Sequence, residues 1–396
     1  MSTAKIGIGI LGLGGRGLYF GERYFRDHPD CSIQAICDLR EDRLANAHRL
    51  LHEPRSYTNT ADFLRDPDLD AVIICTPDHA HGANAIETLA AGKHVYLEKP
   101  MAQSIEECDT MIDTWVKKPG IFMVGLELRY CTLFRDMKAL IEAGEIGKII
   151  TGTVIDNVAV GGNYYYHGDR RRRAFIQSLI LEKGTHSLDL ANWLVDSSPV
   201  RVFASGGLDV FGGNAPNDKH CADCDIRVTC PYFIDTSGFT MDYGAVIKPQ
   251  DLCVYAQECD VDDNSLVLID YESGARICYM ECHFTPEYSR EFMFIGDKGK
   301  MIGFYNNEME FKITVTKRHS RKQDVYFPER GEGEHGGGDN RIVEEFIARL
   351  HAGKPCMPGV IGGRDSAAIA IAADESSRSG MPVTIPRKPI PPGEHR

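Results

Sequence analysis

At 396 residues, with 43% hydrophobic and 26% charged side chains, the chain has the balance of a soluble globular protein long enough for two domains. A formal net charge of −13 argues against general nucleic-acid or anionic-membrane binding, and no stretch is apolar for long enough to span a bilayer. Thirteen cysteines without a secretion signal point to reduced thiols in a cytoplasm.

The chain opens on Ile6, Ile8 and Ile10 with only glycine between them, a pattern for a strand buried on both faces. Gly12-Leu13-Gly14-Gly15-Arg16-Gly17 follows, then a helix-compatible segment from Leu18 to Asp27 and a second apolar strand from Ser32 to Cys37. In this order each glycine has a task. Gly12 allows the tight turn, Gly14 admits a pyrophosphate against the backbone, and Gly17 lets helix and strand pack closely. Asp38, 26 residues after Gly12, is placed to accept hydrogen bonds from an adenosine ribose. A carboxylate there favours NAD over NADP, a preference that Arg40 tempers.

Strand and helix continue to alternate to about residue 125. Ala71–Cys75 leads into Thr76-Pro77-Asp78-His79-Ala80-His81, and His94–Leu97 leads into Glu98-Lys99-Pro100. The grammar is that of a doubly wound parallel sheet, whose ligands sit beyond the C-terminal strand ends. Gly15, Arg16, Thr76, Pro77, His81, Glu98 and Lys99 all fall in such loops and join the candidate cofactor contacts. After Arg129-Tyr130 the pattern changes. One helix (133–143) precedes a region, Val200 to Phe327, that reads as strands joined by turns, hence a mostly antiparallel sheet. Helices at 340–351 and 365–377 close the chain. The expected division is residues 1–128 for dinucleotide binding and 129–396 for an α+β substrate domain.

Glu182, His186, Asp189 and Trp193 recur at four, three and four residues, lining one face of a helix. Taken alone, such a polar stripe is usually solvated surface. The wider set of motifs resembles the Gfo/Idh/MocA family of glucose–fructose oxidoreductase, inositol dehydrogenase and MocA-type proteins. The resemblance rests on the glycine turn, Cys75-Thr-Pro-Asp-His-Ala-His81, Glu98-Lys99-Pro100, Glu-Ala-Gly144-Glu-Ile-Gly147-Lys and the helix with His186 and Asp189. It implies a nucleotide-binding domain joined to an open-faced α/β domain, with substrate between them. It also implies a Glu-Lys-Pro lysine working beside an acid and a histidine on a second-domain helix: here Lys99, Glu182 and His186. The family's usual Asp is Glu182 here, followed by Lys183, which leaves substrate and net reaction open.

Oxidising a secondary alcohol needs a base. An unperturbed lysine, pKa about 10.4, is a poor one near neutrality, whereas histidine starts near the working pH. His186 is the favoured acceptor, with Lys99 orienting the hydroxyl and Glu182 aligning the pair; Lys99 as base is the alternative. Three activities fit: an NAD-dependent dehydrogenase of a sugar, sugar derivative or cyclitol; an NAD-dependent glycoside-cleaving enzyme using transient oxidation; and a nucleotide-binding regulator without turnover.

Several weaker signals remain. Arg170–Arg173, after Tyr164-Tyr-Tyr-His167, reads as a solvated or subunit-contact loop, or else places an arginine, Tyr166 or His167 on the substrate. Arg129, Lys183 and His335 complete the candidate substrate contacts. Asp339 suits a helix N-cap. His220-Cys221-x2-Cys224-x5-Cys230 is half of a zinc-like spacing without an evident fourth ligand, so no metal is expected. An open sheet face suggests a homodimer or homotetramer.

Overall fold

The computed structural model describes residues 5–159, 162–236, 250–306, 310–353 and 359–391. In the first half, strands β1 (Ile6–Leu11), β2 (Cys31–Cys37), β3 (Arg55–Tyr57), β4 (Ala71–Ile74), β5 (His94–Leu97) and β6 (Phe122–Val124) form one sheet in the order β3-β2-β1-β4-β5-β6. Every pairing in it is parallel. Helices α1 (Gly15–Phe20), α2 (Glu41–Leu50), α3 (Thr60–Leu64), α4 (Asp78–Ala90) and α5 (Ile105–Lys117) make the crossovers. Ala71–Ile74 is buried at every position, as a strand covered on both faces must be. The helix expected over 18–27 begins at Gly15 and passes into a π-helical turn, Gly21–Phe25.

The second half contains α6 (Thr132–Glu142), β7 (Ile149–Asn157), α7 (Arg173–Ile176), α8 (Thr185–Val195), β8 (Pro199–Gly207), β9 (Asn264–Tyr271), β10 (Arg276–Cys282), β11 (Ser289–Gly296), β12 (Gly299–Asn306), β13 (Lys312–Lys317), β14 (Gln323–Tyr326), α9 (Gly338–Ala352), α10 (Val360–Ser379) and β15 (Val383–Thr384). Its sheet has nine strands in the order β14-β13-β12-β11-β7-β10-β9-β8-β15. All its pairs are antiparallel except β7 with β10. The mostly antiparallel reading holds for the sheet but not for the whole of 200–327. Among the described residues, 208–236 and 250–263 form only two isolated bridges, and 237–249 lie outside the described residues.

Burial alternates strictly along β9 and β12, which puts one face of the sheet inward and leaves the other open. Phe203, Leu266 and Leu268 stand on that open face, with Phe203 paired to Leu268 in register. The inner face meets α6, α8 and α10. Helix α10 is rich in small residues, and its Ala367, Ala368, Ala370, Ala372 and Ala373 are all buried. One hydrophobic cluster therefore runs from Val72, Val95 and Leu97 of the first sheet to Val154 and Val267 of the second.

Helix α9 crosses back to the first sheet. Ile342, Val343, Phe346 and Ile347 join the cluster of Ile8, Ile10, Phe20 and Tyr96, with the Phe346 and Tyr96 rings 5.6 Å apart and edge-on. Phe346→Ala is expected to destabilise the protein by about 3–5 kcal/mol, as large-to-small core changes do. Urea unfolding checks this, and a loss under about 1 kcal/mol would place α9 outside the core.

Candidate active site

The glycine turn after β1 has the geometry of a dinucleotide cradle. Gly12 holds φ +92°, and a Cβ there would lie 2.7 Å from the Cys75 backbone. A Cβ on Gly17 would lie 1.9 Å from the Gly12 carbonyl oxygen, so helix and strand touch as a side chain would forbid. At Gly14 the space is open, with only Arg43 Nη1 at 3.9 Å, and no side chain caps α1. Donors at a helix N-terminus beside open space suit a pyrophosphate. Asp38, at the end of β2, accepts from the Leu13 N–H (2.7 Å) and the Arg40 N–H (2.9 Å), which aim its carboxylate toward the turn. The Arg40 guanidinium is committed to Asp42, while Arg43, which sequence reasoning passed over, stands 3.8 Å from Asp38.

The side chains of Arg16, Glu98 and His81 brace this end of the sheet. Arg16 donates to Glu98 (2.9 Å) and Asp339 (2.5 Å) and lies over the Phe20 ring. The His81 ring nitrogens face the carbonyls of Pro100 (2.7 Å) and Thr76 (2.9 Å), fastening the Thr76-Pro77 loop to the loop of Lys99. Pro77 occupies the N-cap of α4, and Thr76 Oγ1 accepts from Asn84.

Beyond the C-terminal end of β5, Lys99 meets the second half of the chain. Its Nζ donates to the Glu182 main-chain oxygen (2.8 Å) and lies 3.6 Å from the Glu182 carboxylate. Glu182 also receives Arg170 (2.8 Å). The expected solvated stripe is not solvated. Glu182, His186 and Asp189 are buried, because α8 is packed against α10, β7 and α6. Nor do the four share one regular helical face, since Glu182 lies in a π-helical turn, Ile180–Gly184, before α8 begins. Asp78, at the start of α4, faces Glu182. Burial and then Glu182 push Asp78 up, toward its protonated form, while Lys99 and Arg170 overcome burial and hold Glu182 at about 2.

His186 lies with Nδ1 3.1 Å from Glu127 Oε1, and His335 Nε2 approaches the same oxygen at 3.4 Å. His335 Nδ1 donates to Asp339 (2.7 Å). Asp339 is thus no N-cap: Gly337 holds that place, and the buried Asp339 carboxylate joins His335 to Arg16. His335 sits at φ +48°, a left-handed conformation that costs a non-glycine residue strain and that often marks function. Burial lowers His186 well below its ordinary value, and Lys99 and His335 add to this, so the ring is neutral. For Lys99 burial is outweighed by Glu182, Asp78 and Glu98, which raise it and keep it cationic. Glu127 and Asp339 likewise outweigh burial at His335 and push it up to about 9.

Glu127, His186 and His335 each bring one ligand atom within 4.8 Å of the others. Lys183 lies 3.9 Å from Asp156 and over the Tyr288 ring, on the floor of the same region.

Three sequence candidates stand elsewhere. Arg129 makes a buried bidentate pair with Asp189 (2.8 and 2.6 Å). Tyr166 donates to the Val261 carbonyl and stacks on Phe211, and both His167 nitrogens face the carbonyls of Leu252 and Tyr232. The arginine run is not a solvated loop: Arg171 is buried on Glu258 and the carbonyls of Cys253 and Asn217. Sequence reasoning missed Glu127 and Asp78. Each follows the C-terminal end of a strand, β6 and β4, where a doubly wound sheet gathers its ligands.

Residues 6–126 match the NAD-binding Rossmann fold of the Gfo/Idh/MocA oxidoreductases, and residues 138–385 match the C-terminal alpha/beta domain of that group. The chain belongs to the Gfo/Idh/MocA oxidoreductase family. It is 25% identical over 385 residues to YteT of Bacillus subtilis (strain 168), covering 86% of this chain and 85% of YteT. Against the myo-inositol 2-dehydrogenase of Thermotoga maritima it is 28% identical over 210 residues, 51% of this chain and 58% of that enzyme. The solved levoglucosan dehydrogenase in complex with NADH and levoglucosan shares the fold, with a TM-score of 0.75 at 20% identity over 97% of this chain and 100% of that one. The cofactor of this Gfo/Idh/MocA protein is NAD.

Asp38→Ala is expected to weaken NAD binding by about 1.5–3 kcal/mol for each charge-assisted hydrogen bond lost, and to relax discrimination against NADP. Calorimetric titration with both cofactors checks this; unchanged dissociation constants would remove Asp38 from the ribose site.

Proposed function

We propose that this protein is an NAD-dependent dehydrogenase that moves hydride between nicotinamide and a secondary hydroxyl of a sugar, sugar derivative or cyclitol. The observation that carries the reading is the meeting of Lys99, held 2.8 Å from the Glu182 main-chain oxygen, with the buried His186, whose Nδ1 lies 3.1 Å from Glu127; burial lowers His186 while Glu182 raises Lys99 against burial. Inositol and levoglucosan dehydrogenases among the relatives support the substrate class. Bound NAD supplies the hydride acceptor. Lys99 donates a hydrogen bond to the hydroxyl oxygen and steadies negative charge as the O–H bond breaks. His186 takes the proton through Nε2, because Nδ1 faces Glu127, and the carboxylate of Glu127 stabilises the imidazolium that forms. Glu182 fixes the Lys99 ammonium through its main-chain oxygen and its side chain.

A second reading rests on Asp78. A carboxylic acid kept protonated next to Glu182 can protonate a leaving group, as redox-neutral glycoside cleavage by transient oxidation and elimination would need. Incubation with NAD and a panel of free sugars, cyclitols and aryl glycosides separates the two. Accumulating NADH supports the dehydrogenase, and aglycone release without NADH supports the glycosidase. The protein works as a homodimer or homotetramer in this reading, supported by the apolar open face; Leu266→Lys should then lower the mass seen in sedimentation, and an unchanged mass would exclude that face.

Lys99→Ala and His186→Ala should each slow single-turnover hydride transfer by about 10²-fold or more. The double variant should lose far less than the product, because both groups act on one hydroxyl. Fully multiplicative losses or near-normal single variants would overturn the assignment.

The pH profile follows from the shifts. His186 works as the neutral form and its value is lowered, so the acid limb of kcat/KM falls below pH 6.5, the ordinary histidine value. An alkaline limb near 9 follows as His335 loses the proton that balances Glu127. His335→Asn should erase that alkaline limb, and a limb that survives would belong to another group.

A further inference from the structure

We propose that Cys221, Cys224, Cys230 and Cys253 hold a structural zinc ion in the excursion between β8 and β9. This excursion spans residues 208–263, and its described part contains no helix or named strand, only the bridges Ala215↔Ala256 and His220↔Leu252. Among its described residues, Phe211, Val254, Ala256, Cys259 and Val261, with the partly buried Leu208, Val210, Tyr232 and Tyr255, make one small apolar cluster with Val158, Tyr166 and their neighbours. A loop of that length with so small a core needs another device to order it, and none of the described cysteines is in a disulfide.

The local sequence offers three thiols at the spacing C-x2-C-x5-C, and the fold supplies the fourth. The Cys221 N–H donates to the Asp251 carbonyl and the Cys253 N–H to the Lys219 carbonyl, both at 2.7 Å. These bonds flank the antiparallel pair His220↔Leu252. Since side chains alternate along a strand, Cys221 and Cys253 are diagonal neighbours on the same face of that bridge. A turn closed by the Cys224 N–H on the Cys221 carbonyl (3.2 Å) brings Cys224 back beside Cys221. All four cysteines line one cavity, whose other walls include Ile226, Tyr232, Phe233 and Val254. His167, a failed substrate candidate, has a place here: its two ring nitrogens hold the carbonyls of Leu252, next to Cys253, and Tyr232, two residues after Cys230.

The donor set selects the metal. Four thiolates in tetrahedral array suit zinc, a soft acceptor with Zn–S bonds of about 2.3 Å. Among the described residues the four sulfurs are not already gathered within 4.8 Å of one another, and rotation about χ1 on binding would draw them together. Each thiol releases its proton on binding, and Arg227 on the cavity wall offsets part of the resulting negative charge. His220 is not needed as a ligand, because its Nδ1 is engaged with Asp251 at 2.7 Å. The fourth thiol is hard to recognise in the sequence because it lies 23 residues beyond Cys230.

The test uses the full chain purified under reducing conditions from zinc-supplemented medium. Elemental analysis should give about one zinc per chain, and cobalt exchange should give the charge-transfer and ligand-field bands of a tetrahedral tetrathiolate. Chelation should release the metal and expose four reactive thiols together. Cys253→Ser should lower metal affinity by at least about 10-fold. Cys259→Ser, whose thiol donates to the Val254 carbonyl, should retain the metal. Metal-free protein without cobalt bands, a disulfide among the four cysteines, or a Cys253→Ser variant that binds zinc as tightly as the parent would each overturn the proposal.

Discussion

The ion pair between Arg129 and Asp189 fixes the geometry on which the candidate active site depends. Arg129 lies in the 3₁₀ turn that follows β6, two residues after Glu127; Asp189 lies on α8, three residues after His186. Both are buried, and the guanidinium grips the carboxylate in bidentate fashion, with only a glycine, Gly362, where a Cβ would come within 2.4 Å of Arg129 Nη2. A bidentate pair has one good arrangement. It therefore sets the register of the strand end that carries Glu127 against the helix that carries His186. Removing one partner would leave an uncompensated buried charge, worth about 3–5 kcal/mol, so the two elements are locked together by more than apolar contact.

Within that frame the site is an alternation of charges in which each group's proton state follows from its neighbours. Glu182 lies between Lys99 and Arg170 and stays ionised, whereas Asp78, facing Glu182, is pushed up toward its protonated form. His335 lies between Glu127 and Asp339 and stays protonated, whereas His186, with Lys99 and His335 around it, stays neutral. Two carboxyl groups and two imidazoles are thus divided into one acid and one base of each kind. Environments that push like groups apart are how acid and base roles are assigned at a single pH.

The parts legible in the sequence were those built from short-range patterns. The glycine turn declares itself because Gly12 and Gly17 meet steric limits within one strand–turn–helix unit, and β9 and β12 declare themselves by alternation. Lys99 and His186 were singled out through the family motifs, which no periodicity would have supplied, and the fold brings both to the surroundings of Glu182 and Glu127. The rest depends on contacts across the chain. Tyr166 and His167 carry the residue types of a sugar pocket but face carbonyls of the 208–263 excursion, a partner that local pattern does not reveal. Glu127 looks like an ordinary turn residue until α8 and the loop of His335 are brought to it. Asp339 had the position of a cap, but its helix starts one residue earlier and leaves the carboxylate free for Arg16 and His335.

Helix α9 shows how a distant segment is brought under that control. Its first turn carries Asp339, which faces the glycine turn through Arg16 and the candidate active site through His335. Its remaining turns bury Ile342, Val343, Phe346 and Ile347 against the first sheet. Each such side chain contributes about 1.5–3 kcal/mol on burial, enough together to offset the desolvation of one well-paired carboxylate. Apolar packing along the helix thus holds its polar end in place. Arg16 of the glycine turn and His335 consequently share one carboxylate, and the glycine turn and the Glu127–His186–His335 cluster are held by the same rigid element.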